Sequence, residues 1–212
     1  DLAVGLVNGS GIEQNFPINS PGIRRPDRLF DNDSDKTLFG RVGFRIGPVG
    51  VGLFGLAGEQ RSAAGVAGEQ TGSRDTDKRI VGLDLSGSIA NKVHWYAQGL
   101  WNRWDDFLDA TPGRDYEWFG GFAGIDYIHN DRWAFSMLYN LAEAGDFDDS
   151  ETLFEGLAIN SLTFAASYYF MRNLKGVIEV NADFLSKETG GPPFVGHRTK
   201  EHYVLIGLDA AY

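Results

Sequence analysis

Residues 37–47 read TLFGRVGFRIG, and this stretch decides how the chain folds. Every second residue from Leu38 to Ile46 is apolar or glycine, whereas Arg41 and Arg45 occupy alternate positions. Successive side chains of a β-strand point to opposite faces, so the pattern predicts a strand with one apolar and one charged face. Water is expected on the charged face and a non-aqueous neighbour on the other.

The same alternation recurs along the whole chain. Residues 132–142 repeat it with Trp133, Phe135 and Met137 on one face and Arg132 and Ser136 on the other. Ten segments follow the pattern over most of their length: 1–9, 37–47, 49–59, 78–89, 93–104, 115–128, 132–142, 158–170, 175–185 and 201–212. The sequence therefore predicts an all-β chain of about ten strands.

The connections between these segments alternate between short and long. Short turns are expected at 47–49, 90–92, 129–131 and 171–174. Long loops rich in Gly, Asp, Asn, Ser and Pro are expected near 10–36, 60–77, 105–114, 143–157 and 186–200. Outer-membrane barrels have short periplasmic turns and long extracellular loops. The pattern predicts that residues 1–212 form one transmembrane antiparallel β-barrel domain in a bacterial outer membrane, with both termini periplasmic.

A soluble β-sandwich or lipocalin-like barrel is the alternative fold, with its apolar faces turned inward. Sequence period alone does not distinguish inside from outside. Three features favour lipid contact: the regular asymmetry of the connections, all five Trp near strand ends as expected of an interfacial girdle, and Gly at membrane-facing positions. We therefore expect lipid at the apolar face and water in the lumen.

Composition narrows the functional classes. The formal net charge of -10 argues against a nucleic-acid partner, which calls for a basic surface. The chain has no Cys, which excludes disulfides, thiol catalysis and covalent haem attachment by this chain. We expect the chain to have no cofactor and no enzymatic activity.

Two stretches carry a resemblance to a known family. AVGLVNGSG at residues 3–11, followed by a long loop with Asp33 and Lys36 and then GRVGFRIG from Gly40, resembles the phosphate-selective porin O and P family. YVLIGLDAAY at residues 203–212 resembles that family's last strand, and its final Tyr212 resembles the signal read by barrel-assembly machinery.

That resemblance carries several expectations. In the family, the matching segments form the C-terminal part of a trimeric barrel of about sixteen strands. It implies an outer-membrane porin in which small solutes or ions diffuse passively through a water-filled channel. The chain is then a portion or a shortened relative of such a barrel, with lipid and lipopolysaccharide around it and a homotrimer as its assembly.

The charged faces predict the pore lining. The predicted lining residues are Arg41, Arg45, Asp84, His94, Asp126, Arg132, Glu179, Asp183 and Asp209, with Lys78 as a further candidate. Charged rings bias which ions enter a pore. Because this set is mixed or slightly acidic, phosphate selectivity is not carried over from the family. The alternative role for these residues is internal ion pairing that fills a narrow bore.

An acidic loop is the one candidate metal site. Its carboxylates are dense enough for a hard cation such as calcium but lack EF-hand spacing. The residues are Asp146, Asp148, Asp149 and Glu151. We favour the simpler interpretation, a solvated loop or a divalent bridge to lipopolysaccharide.

The first long loop, residues 10–36, is long enough to fold into the barrel as a constriction. It carries Arg24, Arg25 and Arg28 beside four aspartates.

Two functions from other classes stay open. One is a structural barrel or sheath for a partner such as a multihaem cytochrome, in which the partner brings the haem. The other is a hydrolase at the extracellular rim, with His197 activating water beside Asp105 or Asp106.

Overall fold

The computed structural model describes residues 1–8, 36–62, 74–105, 113–147, 158–184 and 202–210. These residues form ten β-strands and one short 3-10 turn, Gly145–Phe147. The strands are β1 Leu2–Asn8, β2 Lys36–Ile46, β3 Val49–Ser62, β4 Arg74–Ile89, β5 Val93–Asp105, β6 Tyr116–Ile128, β7 Trp133–Glu143, β8 Ala158–Met171, β9 Leu174–Asp183 and β10 Tyr203–Ala210. No helix in these ranges is long and apolar enough to cross a membrane.

The ten strands form one antiparallel sheet in which each strand pairs with its neighbours in sequence. The all-β prediction of about ten strands is confirmed. The largest difference lies between β3 and β4, which run to Ser62 and start at Arg74, so that the 60–77 loop is shorter than expected. These strands have 14 and 16 residues, more than the roughly 9 to 11 that cross a bilayer, and pairing continues where the apolar alternation stops.

Tight turns join the strands at one end of the sheet, which we call the turn end; the opposite end is the loop end. Between β4 and β5, Ala90 and Asn91 have φ of 51° and 55°, and the amide of Lys92 donates to the carbonyl of Ile89 at 3.1 Å. Two successive left-handed residues are the geometry of a type I′ hairpin, which matches the twist of paired strands.

Cross-strand register divides the sheet into two faces. Val42, Leu53 and Leu83 are opposite one another on β2, β3 and β4, and the row continues through glycines of β5 and β6 to Leu141 of β7. This apolar face carries the most exposed large side chains of the described residues, including Leu2 at 77%, Ile206 at 77% and Leu208 at 75%.

The opposite, polar face holds the buried polar side chains of the described residues. Thr37, Asn102, Ser161 and Asp183 are each less than a tenth exposed and all lie on it by register. A water-soluble protein buries its large apolar side chains and exposes polar ones. The sheet has the reverse arrangement, and a continuous exposed apolar face marks a surface that contacts a membrane or another protein.

The tryptophans divide between the two faces. Trp95, Trp101 and Trp133 lie on the apolar face near strand ends, where amphipathic rings suit an interface with polar headgroups. Trp104 and Trp118 lie on the polar face instead. The expectation that all five form one girdle is therefore wrong for these two, which pack against each other on the inside.

The sheet has two open edges within the described residues. β1 pairs with β2 alone, and β10 pairs with β9 alone. An unpaired edge is costly in hydrocarbon because water is absent and each free backbone group stays unsatisfied.

Candidate functional site: the polar face

The polar face collects eight of the nine predicted pore-lining residues. Their place follows from register, since residues directly opposite each other on paired strands point to the same side. The eight are Arg41, Arg45, Asp84, His94, Asp126, Glu179, Asp183 and Asp209. For example, one row of directly opposite residues crosses eight strands, from Gly43 on β2 through Gly52 and Asp84 to Asp183 on β9.

Arg41 lies at the centre of a charge cluster on β2. Its guanidinium donates to Asp1 at 2.9 Å and to Asp84 at 2.8 Å. The side chain lies flat along the sheet over Gly43 and Gly52, where a Cβ atom at either position would collide with its guanidinium nitrogens. The two glycines therefore make the space in which two carboxylates neutralise one arginine.

Arg45, four residues further along the same face, has different surroundings. It borders a depression of about 400 Å³ whose polar lining includes Ser86, Ser88, His94 and the ring of Tyr96. It also borders a second depression of about 270 Å³ beside Arg41 and Asp84. Within the part of the chain that the structure describes, Arg45 has no ion pair, so its charge faces open space.

A hydroxyl and an imidazole meet on β4 and β5. The Ser88 Oγ lies 2.8 Å from His94 Nδ1, and Asp126 is directly opposite His94 on β6. The contact orients the His94 ring along the wall of the larger depression. Ser88, His94 and Asp126 therefore form a row of hydrogen-bonding side chains on the polar face near the turn end.

Arg132 stands apart from the other predicted lining residues. It lies in the turn before β7, and its guanidinium donates to the Tyr168 hydroxyl at 3.1 Å. Tyr168 is opposite Trp133 on the apolar face. The alternation placed Arg132 at the start of the strand. The strand begins one residue later, although the Tyr169 amide still donates to the Arg132 carbonyl at 2.8 Å.

Strands β8, β9 and β10 carry a separate set of polar contacts. Tyr203 donates to Glu179 at 2.7 Å, Thr163 donates to Asn181 at 2.8 Å, and Lys175 pairs with Asp209 at 3.1 Å. Of the predicted acidic lining residues, Asp84, Glu179 and Asp209 thus have a basic or hydroxyl partner.

An aromatic cluster at the loop end was missed by the sequence interpretation. Trp104, Tyr116, Ala144 and Phe147 are each at most about 5% exposed, with Trp118 packed against them. The Lys78 ammonium lies 4.8 Å from the centre of the Trp104 ring, so this further candidate covers the cluster. The sequence did contain a signal for this cluster, because aromatic residues occupy the polar-face positions 104, 116 and 118.

The remaining predicted sites are mostly outside the described residues. This holds for Asp148, Asp149 and Glu151 of the acidic loop, for residues 10–35 of the first loop, and for His197 and Asp106 of the rim site. Asp146 is described, and its carboxylate accepts the Glu117 amide at 2.8 Å. Asp105 is bound by Arg103 at 2.7 Å. Among the described residues no group of three or more metal-ligating side chains occurs.

An antiparallel sheet of sequential hairpins, apolar on its exposed face and charged on the other, is the wall of a transmembrane β-barrel of the porin type. Comparison with solved structures agrees. The chain is similar to the anion-selective porin from Comamonas acidovorans, with a TM-score of 0.54 and 15% sequence identity over 84% of this chain and 49% of that chain. The predicted porin-like barrel fold is confirmed.

The chain spans about half the length of that porin chain, 49%. No protein-family model and no curated protein matches the sequence.

Proposed function

We propose that the chain forms part or all of the wall of an outer-membrane porin through which small solutes or ions diffuse passively. The observation that supports it is the distribution of side chains on one sheet, with exposed apolar residues on one face and charged residues on the other. The first face suits lipid and the second suits a water-filled lumen. The narrower resemblance to the phosphate-selective porin O and P family stays a prediction.

The filtering mechanism in this proposal is electrostatic. The polar face combines Arg41, Arg45, Lys78 and Lys175 with an excess of carboxylates. Because Asp1 and Asp84 neutralise Arg41, Arg45 is the basic group most exposed to a passing ion. Charges of both signs give a channel of modest ion preference rather than a strongly anion-selective one.

Closure of the wall is part of the same proposal. The open edges of β1 and β10 become paired if further strands complete the barrel, and the longer porin chain with a similar fold, of which the match covers 49%, supports this. An even number of strands, periplasmic termini, surrounding lipopolysaccharide and a homotrimer complete the proposed arrangement.

The decisive experiment is conductance in planar lipid bilayers. Reconstituted protein is expected to give stable conductance steps. Replacing Asp84 and Asp126 by Asn removes two negative charges from the polar face and is expected to shift the reversal potential in a KCl gradient toward anions. One charge about 8 Å from an ion in water contributes about 0.5 kcal/mol, or about twofold in permeability ratio.

A matched control changes the net charge equally on the other face. Asp77 and Glu143 lie on the apolar face at the loop end, so Asp77→Asn with Glu143→Gln is expected to leave the reversal potential unchanged. Absence of any conductance from folded protein that includes every strand of the closed barrel would refute the porin. Equal shifts from both double variants would refute the assignment of the polar face to the lumen. A copurifying haem spectrum would favour the sheath instead.

A further inference from the structure

One part of the polar face is built from large apolar side chains. By register, five of them share one patch on β2 to β5: Phe39, Leu56 and Ile80 in one row of directly opposite residues, and Phe54 and Leu100 in the next row toward the turn end. We call these five residues the apolar band. A wall that only holds water would carry polar side chains at these positions, so the band needs a separate explanation.

The rings of the apolar band lie low on the wall. Phe39 covers Gly5 of β1 and Phe54 covers Gly82 of β4, because a Cβ atom at either glycine would collide with the ring. The five side chains of the band are each partly exposed. The band is therefore a shallow apolar floor that a flat apolar group can contact, and its side chains do not stand up into the space in front of the wall.

Two more aromatic rings connect the apolar band to a cation. Phe122 of β6, 36% exposed, is a diagonal neighbour of Leu100, and it contacts the Tyr96 ring edge to face with ring centres 6.1 Å apart. Tyr96 lines the depression of about 400 Å³ that Arg45 borders. Arg45 is exposed and has no ion pair among the described residues. An apolar surface and an available positive charge are therefore adjacent.

The same depression can donate hydrogen bonds to an anion. The Ser88 Oγ lies 2.8 Å from His94 Nδ1, and when Ser88 donates in this contact, the neutral ring carries its proton on Nε2. That proton and the Arg45 guanidinium are donors for a carboxylate. Asp126 is directly opposite His94 and repels a second negative charge. An anion of single charge therefore fits this end better than a dianion.

We propose that the apolar band, Phe122, Tyr96 and Arg45 together bind small amphipathic monocarboxylates, such as aromatic acids, during their passage. The apolar part of the solute moves along the band and Phe122 to Tyr96, where its carboxylate reaches Arg45. Contact with the band removes apolar surface from water and so enriches these solutes at the wall, while the shallow floor lets them leave, as conduction requires. The inference rests on the proposed porin function and names its substrate class.

The first test compares benzoate with acetate in planar bilayers that contain the complete closed barrel. Reversal potentials against chloride give the permeability of each anion. Acetate has the same carboxylate but no ring, and it diffuses faster in water because it is smaller. We expect benzoate to be the more permeable of the two, the reverse of their order in water. If acetate is more permeable than benzoate, the apolar band does not bind solutes, and the porin proposal is unaffected.

Variants separate the ring contact from the charge contact. Phe122→Gln removes a partly exposed ring, and the benzoate-to-acetate permeability ratio should fall about threefold. Ile159→Gln is the matched control, since Ile159 is 45% exposed in the same row as Leu100 but is separated from it by Gly120 and Ala142. It should leave the ratio unchanged. Arg45→Gln should lower the permeability of both anions and leave their ratio unchanged, because both carry the carboxylate.

The outcomes distinguish the binding site from the porin. An unchanged ratio in folded Phe122→Gln overturns the binding site, and it is also the result expected if another segment of the chain covers the apolar band. Equal falls in Phe122→Gln and Ile159→Gln overturn it as well. If Phe122→Gln does not fold, the order of benzoate and acetate in the unaltered protein decides. Absence of conductance in the complete barrel overturns the porin and the binding site together.

Discussion

The two halves of the polar face are built from the same strands and differ in nearly every physical property. Near the turn end, Arg41 and His94 are partly exposed and held by hydrogen bonds, and Arg45 is exposed. At the loop end, Trp104 and Tyr116 are buried in a cluster with Ala144 and Phe147, which follow β7. Strand alternation is the same in both halves, so the difference arises because the chain after β7 folds back over one half only.

The two halves of the polar face are expected to serve different properties, one the stability of the fold and the other the ion selectivity. Exposed ion pairs such as those of Arg41 are worth up to about 1 kcal/mol each, whereas burying one large apolar side chain is worth about 1.5 to 3 kcal/mol. We therefore expect the loop half to contribute most of the polar face's stability and the turn half to set the ion preference. Substitutions can test each assignment separately.

The largest effect is expected from Tyr116→Ala. Tyr116 is 0% exposed and stacks on Phe147, so its removal leaves a cavity and should lower the free energy of unfolding by about 3 kcal/mol. Urea unfolding in lipid vesicles measures it. The control is Tyr96→Ala in the turn half, where the ring is partly exposed and lies over Gly124. Equal losses from both variants would contradict the contrast in stability.

The sequence predicted the sheet well because the alternation of side chains is local. Leu38, Val42 and Ile46 alternate with Arg41 and Arg45, and the structure places the two sets on opposite faces. The period did not show which face is exposed to the surroundings. The structure shows it, with Ile46 at 63% and Thr37 at 6% on opposite faces of one strand.

The candidate site was predictable as a set of residues but not as contacts. Register brings Arg41 and Asp84 together across a third strand, β3, and Gly52 on that strand makes the space; neither fact is visible in either segment alone. The packing of residues 144–147 on β6 was not predicted from the sequence, for a different reason. Phe147 lies in a loop when it stacks on Tyr116, and loops lack the regular alternation of side chains from which strand faces are predicted.

The next effect concerns selectivity in the turn half. Arg45→Gln removes a charge that no described carboxylate offsets, and we expect the anion-to-cation permeability ratio to fall about twofold. Arg41→Gln is the comparison variant, because it removes the same charge from an ion-paired position. Its guanidinium is shared by Asp1 and Asp84, and Gly43 and Gly52 make the space in which it lies.

Reversal potentials in low-salt gradients measure both variants, because at about 1 M salt the screening length falls to about 3 Å. Arg41→Gln leaves two carboxylates without their cation, so it should also shift the ratio toward cations. A shift in Arg41→Gln with none in Arg45→Gln would show that the open position of Arg45 does not reach the ion path.

The smallest effect is expected at the turn end itself, where the described residues form no buried hydrophobic cluster. Ala90 has φ of 51°, a conformation that costs an L-residue about 1 to 2 kcal/mol, whereas glycine adopts it freely. Glycine also gains freedom in the unfolded chain, which offsets about 0.4 to 1 kcal/mol. Ala90→Gly should therefore raise the free energy of unfolding by up to about 1 kcal/mol.

Urea unfolding of Ala90→Gly checks this beside the reverse change, Gly47→Ala, at the turn between β2 and β3. Gly47 has φ of 58° and open space around its missing Cβ, so Gly47→Ala adds backbone strain without a steric clash and should lower stability by a similar amount. If both variants leave unfolding unchanged, local turn strain does not limit the turn half. Pairing along β2 to β5 would then hold that half together without help from its turns.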